Sequence, residues 1–302
     1  MNYTIHQLNV FAKIVETKSV TKAANLLFMT QPAVSIQLKK LQDQFDLPLT
    51  EIVNRRIFIT DFGYNIYEIA KRILAEFEEI QYTCNDYKGL LSGKLKIASA
   101  STGKYIIPYY LSSFLENHPS IDFQLMVSNR DEVVQMLLNN QIDFAFISLP
   151  IDNTDMETEE MILVENNLHL FTSSKIKNID LATIPFVVRE EGSATRKQME
   201  KFLLDNGIVP SKIIQLTSNE AVKQMVCSGY GCSIMPILGM RYELKEKIIK
   251  IHPHQNLPLK TYWRLVWLKQ KKLSPVAKGF IKFLEENYPS INENVFDVST
   301  KK

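Results

Sequence analysis

Between Thr4 and Phe45 the apolar residues fall into three short helical rhythms rather than one long one. Ile5, Leu8, Phe11, Ala12 and Val15 share a face behind Thr4, whose hydroxyl suits an N-cap. Ser19 opens a second segment, Val20 to Leu27, with Ala23, Ala24 and Leu27 inward. After a turn at Phe28–Met29, Thr30 opens a third, with Val34, Leu38, Leu41 and Phe45 inward. Helix, turn, helix at this length is the helix-turn-helix pattern, placed here over about 21–40. The rhythm then turns to β. Ile52, Val53, Ile57, Phe58 and Ile59 flank Asn54-Arg55-Arg56, which predicts a two-stranded wing with a polar tip. Over 62–91 it is helical again: Ile66, Ile73, Ile80 and Tyr87 recur every seven residues, with Ala70, Phe77 and Cys84 in a parallel row. A small helical head cannot cover so long a seam. The segment is therefore expected to be a linker helix that dimerises through Ile66, Ile73, Phe77 and Ile80.

Beyond Gly93 strand and helix alternate. Leu95–Ser99, Phe123–Ser128 and Asp143–Ser148 read as strands, with helices at Lys104–Asn117 and Arg130–Asn139. After Glu165–Thr172 the theme restarts at Phe186–Arg189, Thr195–Asn206, Ile213–Leu216, Glu220–Ser228 and Ser233–Met235. Trp263–Leu268 and a helix over Ser274–Tyr288 close the pattern. Such alternation predicts an α/β fold with a mostly parallel sheet, in two lobes around a cleft. The expected domains are a head over 1–61, the linker helix over 62–91 and a two-lobed domain over 92–292. Lobe I takes about 92–164 and 269–292, lobe II about 165–268, and 293–302 form a frayed tail.

Composition narrows the class. A chain of 302 residues with 45% hydrophobic and 23% charged residues is globular and has room for two or three domains. The start at Met1–Val10 lacks a charged region ahead of an apolar block, and Ile142–Ile151, the longest apolar stretch, is too short to span a bilayer. A cytoplasmic protein with no membrane partner is expected. The three cysteines, Cys84, Cys227 and Cys232, cannot build a disulfide framework. Cys227 and Cys232 read as small core residues, with a redox pair as the other reading. The five histidines show no metal-ligand spacing, so neither metal nor cofactor is expected.

The net charge of +2 decides nothing, but local charge does. In the head and wing, Lys13, Lys18, Lys22, Lys39, Lys40, Arg55 and Arg56 face only Glu16, Asp43, Asp46 and Glu51. The outer face of the third helix carries Gln31, Ser35, Gln37, Lys39, Lys40 and Gln42. Gln and Ser can exchange hydrogen bonds with base edges, lysines suit phosphates, and Arg55 and Arg56 at a wing tip could line a minor groove. Thr30 caps the helix whose amides can meet a phosphate. Charge and periodicity alone leave a solvated helix in an ordinary bundle as an equal reading.

The residues themselves are more specific. Leu8–Phe11, Ser19-Val20-Thr21-Lys22-Ala23-Ala24-Asn25-Leu26-Leu27, Thr30-Gln31-Pro32-Ala33-Val34-Ser35 and Leu38-Lys39-Lys40-Leu41 closely resemble the head of LysR-type transcriptional regulators. Asn54-Arg55-Arg56 and Thr60-Asp61-Phe62-Gly63 resemble that family's wing and linker start, and Gly93-Lys94-Leu95-Lys96-Ile97 the opening of its effector-binding domain. The chain departs from the family at Gln42, where Glu is usual, at Asp46 or Leu47, where Gly is, and at Thr50-Glu51-Ile52, in place of Phe-x-Arg. The resemblance implies that Gln31, Pro32 and Ser35 lie nearest the bases; together with Thr30, Gln37, Lys39, Arg55 and Arg56, expected from cap, helix face and wing tip, they should meet double-stranded DNA. It also implies a homodimer or homotetramer on an interrupted dyad, in reach of RNA polymerase, and an effector domain similar to periplasmic binding proteins.

Four expected strand ends carry hydroxyl or amide residues at a helix start: Ser101-Thr102, Ser128-Asn129, Ser193-x-Thr195 and Ser218-Asn219. In open α/β sheets ligands bind beyond such ends, and helix N-termini favour anions. A small anionic effector is thus expected on Ser101, Thr102, Ser128, Asn129, Thr195, Arg196 and Asn219, with Arg196 as a bidentate clamp. For any one of these, plain N-capping remains the simpler reading. Arg189–Arg196, Ser218–Ala221 and Leu273-Ser274-Pro275 resemble regulators of RuBisCO operons. No G-x-S-x-G, Walker loop or G-x-G-x-x-G points to an enzyme. A solute-binding protein would leave the head unexplained, and a constitutive DNA binder would leave the two lobes idle.

Overall fold

A computed structural model of the chain describes residues 3–54, 56–86, 91–152 and 154–296. Arg55 and Tyr87, and the side chain of Cys84, lie outside what is described. Two compact units emerge, Met1–Gly89 and Leu90–Lys302.

In the first unit, α1 (Ile5–Thr17) starts at a reciprocal capping box: Gln7 N–H donates to Thr4 Oγ1 at 3.2 Å and Thr4 N–H to Gln7 Oε1 at 2.8 Å. The helix is central because both its sides are apolar. Leu8, Phe11 and Val15 pack with Leu41, Leu49 and Ala70, while Val10 and Ile14 pack with Ala23, Ala24 and Val34. Ser19 caps α2 (Val20–Leu26) and Thr30 caps α3 (Gln31–Gln42), with Pro32 in the first turn, where its missing N–H costs nothing. β1 (Thr50–Val53) and β2 (Arg56–Ile59) pair antiparallel, from Thr50 opposite Ile59 to Val53 opposite Arg56. The Gln42 side chain holds this region by donating to Leu47 O and accepting from Leu49 N–H.

α4 (Asp61–Asp86) begins in close contact with that strand approach. A Cβ on Gly63 would stand 2.1 Å from the Leu49 carbonyl oxygen, so only glycine fits. Ala70 is buried in the head core with Ile66 and Ile73 packed beside it, whereas Phe77 is 48% and Ile80 60% exposed. The structure therefore splits the expected seam. Its N-terminal part is consumed by the chain's own head, and Phe77 and Ile80 beyond it stay exposed.

The second unit contains β3 (Gly93–Ala100), a 3-10 turn at Ser101–Tyr105, α5 (Ile107–Asn117), β4 (Ile121–Ser128), α6 (Arg130–Leu138) and β5 (Phe144–Ile147). β6 (Thr158–Ser173) leads to β7 (Phe186–Arg189), α7 (Ala194–Asp205), β8 (Ile213–Leu216), α8 (Asn219–Ser228), β9 (Cys232–Pro236), α9 (Arg241–Lys245) and β10 (Ile249–His252). β11 (Leu259–Leu268) returns the chain, and α10 (Pro275–Val295) closes it. The sheet order is β4-β3-β5-β11-β6-β9-β7-β8, with β10 on β6. Parallel sets at each end are joined by the antiparallel pair β6 and β11, which are long enough to serve both lobes.

One core gathers Ile97, Phe144, Phe146, Trp263, Leu265 and Phe280. The other lobe has two smaller cores, one with Phe186, Met199 and Phe202, the other with Phe171, Val222 and Met235. Trp263 and Leu265 thus belong to lobe I, whereas Leu259 packs in lobe II, so the return crossing falls inside β11 rather than after Leu268. The expected tail also needs correction. α10 runs through Pro289 to Val295, and Phe296 is buried against Tyr109 and Tyr110. Asn292 accepts from the Tyr110 hydroxyl and donates to Leu163 O at 2.6 Å, and Arg241 donates to Val295 O at 2.9 Å. These tertiary bonds offset the interior proline.

Candidate functional site

In the first unit a groove of about 900 Å³ runs between the start of α2, the outer face of α3 and the wing. Gln31, Ser35, Lys39 and Arg56 line it together, joined by Lys18 and Thr21. Thr30 contributes its cap, with Ala33 N–H donating to Thr30 Oγ1 at 3.4 Å. Pro32 is exposed at the helix start, and Gln37 is half-buried outside the groove. Ile52, which stands where the family resemblance implies Arg, is 78% exposed on the wing, so Arg56 is the described wing cation in the groove. In the sequence Lys18 counts only toward the head's charge and Thr21 only toward the resemblance; the structure sets both on the groove.

In the second unit the strand ends face one another. Ser101 Oγ donates to Ser128 O at 2.8 Å, so Ser128 presents its carbonyl to Ser101. Thr102 is buried beside it. Asn129 is occupied as a cap, with its Oδ1 accepting from Glu132 N–H at 2.9 Å. Ser218 caps α8 in the same way, through Ala221 N–H at 3.0 Å. α7 differs: Ser193 at its N-cap makes no side-chain cap bond, and Thr195 sits inside the first turn. The N-terminal amides of α7 therefore have no side-chain cap.

The cation that crosses between the strand ends is Arg189. Arg196 donates to Glu200 at 2.6 Å, to Gln215 at 2.7 Å and to Arg189 O at 3.2 Å, which commits its guanidinium to its own lobe. The expected clamp is thus held within lobe II, while it also lines a cavity of about 300 Å³ with Arg130 and Asp131 of lobe I. Arg189, the last residue of β7, is buried and reaches across: Nη2 donates to Ser101 Oγ at 3.2 Å and Nη1 to Asn219 Oδ1. Asn219 Nδ2 is buried and has no protein acceptor. A buried donor of this kind calls for an acceptor, and a ligand oxygen would supply one. The signal missed in the sequence was a charged residue ending the apolar run Phe186-Val187-Val188.

Two further contacts join the lobes. Asp131 N–H donates to Gly192 O at 3.3 Å, and Lys104 Nζ and the Tyr105 hydroxyl both reach Glu220 Oε1, the lysine at 2.7 Å. Gly192 has φ +82°, and a Cβ there would lie 3.1 Å from Asn129 Oδ1, so its bareness permits the approach. Away from the cleft, Cys232 is fully buried, and burial pushes its thiol up to about 12; burial also raises that of Cys227. Both are free cysteines packed in separate cores of lobe II, which favours the core reading over a redox pair. Among the described residues no cluster of His, Cys, Asp and Glu could hold a metal ion, and no helix is long and apolar enough to cross a membrane.

The profile described as "Bacterial regulatory helix-turn-helix protein, lysR family" matches residues 5–64, and "LysR substrate binding domain" matches residues 88–289. The chain is 34% identical to the HTH-type transcriptional activator CmpR of Synechocystis sp. over 94% of its length and 95% of that protein. It is 33% identical to a RuBisCO operon transcriptional regulator of Allochromatium vinosum, over 94% and 96%. The regulatory domain of Synechocystis CcmR, solved in complex with 2-PG, covers 65% of this chain and 97% of its own, at 25% identity and TM-score 0.59. Full-length CbnR, solved with its target DNA, shares the fold over 94% of this chain and 99% of its own, at 20% identity and TM-score 0.65.

Proposed function

Because the chain belongs to the LysR family of bacterial transcriptional regulators, we propose that it reads an operator with the α3 groove and tunes transcription to a small oxyanion held between its lobes. The observation that carries the ligand reading is buried Arg189 on Asn219 Oδ1 at the strand ends, with the buried Asn219 Nδ2 beside it lacking a protein acceptor. A buried guanidinium and a buried amide donor suit carboxylate or phosphate oxygens. The related CcmR domain, bound to 2-PG, supports the same class. The uncapped α7 amides and Thr102 would add donors around them. No enzymatic step belongs to this reading, and the protein would act in the cytoplasm, where its operator is.

On DNA, Gln31 and Ser35 would meet base edges, and Lys39 and Arg56 would meet phosphate or the minor groove. Arg55 shares the wing in sequence but lies outside the described residues. Ala substitution of Gln31 or Ser35 should cost about 1–3 kcal/mol of discrimination between the operator and unrelated duplex, with salt-dependent affinity for any duplex retained. The check is competitive fluorescence anisotropy on both duplexes. Unchanged discrimination in both variants would place base reading elsewhere on the head.

A further inference from the structure

Arg189 has an anion already. The next residue, Glu190, sets both carboxylate oxygens against it, with Nε to Oε2 at 2.7 Å and Nη2 to Oε1 at 2.6 Å. The Arg189 side chain is 5% exposed and that of Glu190 18%. With Ser101 on Nη2 and Asn219 on Nη1, each nitrogen of the guanidinium has a protein acceptor, and the edge that grips an oxyanion side-on is taken.

Resting on the oxyanion reading above, we propose that Glu190 is an internal stand-in for the effector, one that an incoming anion must displace from Arg189. The competition is intramolecular, so the Glu190 carboxylate acts at high effective concentration. A monocarboxylate brings the same charge and the same fork and gains little by exchange. An oxyanion carrying two charges, such as a phosphate monoester, attracts the buried guanidinium more strongly and can take Asn219 Nδ2 with a further oxygen. Glu190 thereby sets both the concentration at which the cleft fills and the class that fills it.

Removing the stand-in should tighten binding, the reverse of what losing a ligand-contacting or merely structural residue does. Full-length protein is titrated calorimetrically with 2-PG and with acetate. Glu190→Gln, which keeps the shape and drops the charge, is expected to bind 2-PG at least tenfold more tightly than the parent and to bring acetate into the measurable range. Glu190→Ala should do the same, should the glutamine variant fold poorly. Equal or weaker 2-PG binding in the folded variants, or no binding to parent or variant, overturns the proposal. Asn219→Ala separates the two readings. If it weakens 2-PG tenfold while Glu190→Gln leaves affinity unchanged, the cleft stands and the stand-in falls. If Asn219→Ala and Glu190→Gln both leave 2-PG affinity unchanged, both fall.

Discussion

Glu220 bridges the lobes with a single oxygen, shared by Lys104 and the Tyr105 hydroxyl. Burial pushes its carboxyl up, but the donated bonds from Lys104 and Tyr105 outweigh that and bring it down to about 2. Burial, followed by the bond to Glu220, raises the Tyr105 hydroxyl well above its usual value. A carboxyl held below its ordinary 4.5 stabilises the fold above that pH, and the contribution fades as pH falls toward about 2. Glu220→Gln should therefore lower Tm at pH 7, and the gap to the parent should narrow between pH 4.5 and 3 in a differential scanning fluorimetry series. A gap independent of pH would mean that the contact works through shape alone. The same residue scale shows why the cleft was half legible. Ser101 and Asn219 announce themselves as polar residues at strand ends, and both meet Arg189. Which of Arg189 and Arg196 turns inward depends on Glu200 and Gln215, and Gln215 comes from a neighbouring strand that local pattern cannot place.

Elements with their own rhythm were readable. The three head helices, the wing, Phe186–Arg189 and Ile213–Leu216 follow directly from apolar spacing. Those sustained by partners were not. The first half of β6 carries Glu159 and Glu160, unpromising in a strand until Trp267 Nε1 and Arg264 on β11 receive them at 2.9 and 2.8 Å. Pro289 gives a local signal to stop α10, which distant Tyr110 and Arg241 override. The linker helix shows the same limit: a heptad seam does not reveal which of its residues the chain's own head will claim. Since Ile66 and Ile73 are claimed and Phe77 and Ile80 are not, we propose that the latter two carry subunit pairing. Phe77→Asp with Ile80→Asp should reduce the oligomer by sedimentation velocity while the head keeps its helical circular dichroism. An unchanged sedimentation coefficient would move pairing to another surface.

At the scale of the whole molecule, the two units hold separate chemistry: a basic groove with base-edge donors, and a cleft with a neutralised cation. Neither explains regulation alone. An effector can change operator binding only if it binds one state of the protein more tightly than another, and the coupling must then run both ways. Filling the cleft should change how the protein sits on DNA, and operator DNA should change the affinity for the cleft ligand by the same factor. DNase footprinting of full-length protein on its own promoter region, with and without 2-PG, tests this most directly. The expected result is a bounded protected segment that persists against excess unrelated duplex and whose boundary or internal cleavage pattern shifts when 2-PG is added. Protection spread evenly along the fragment, lost to any competitor and indifferent to 2-PG and other small oxyanions, would contradict the account.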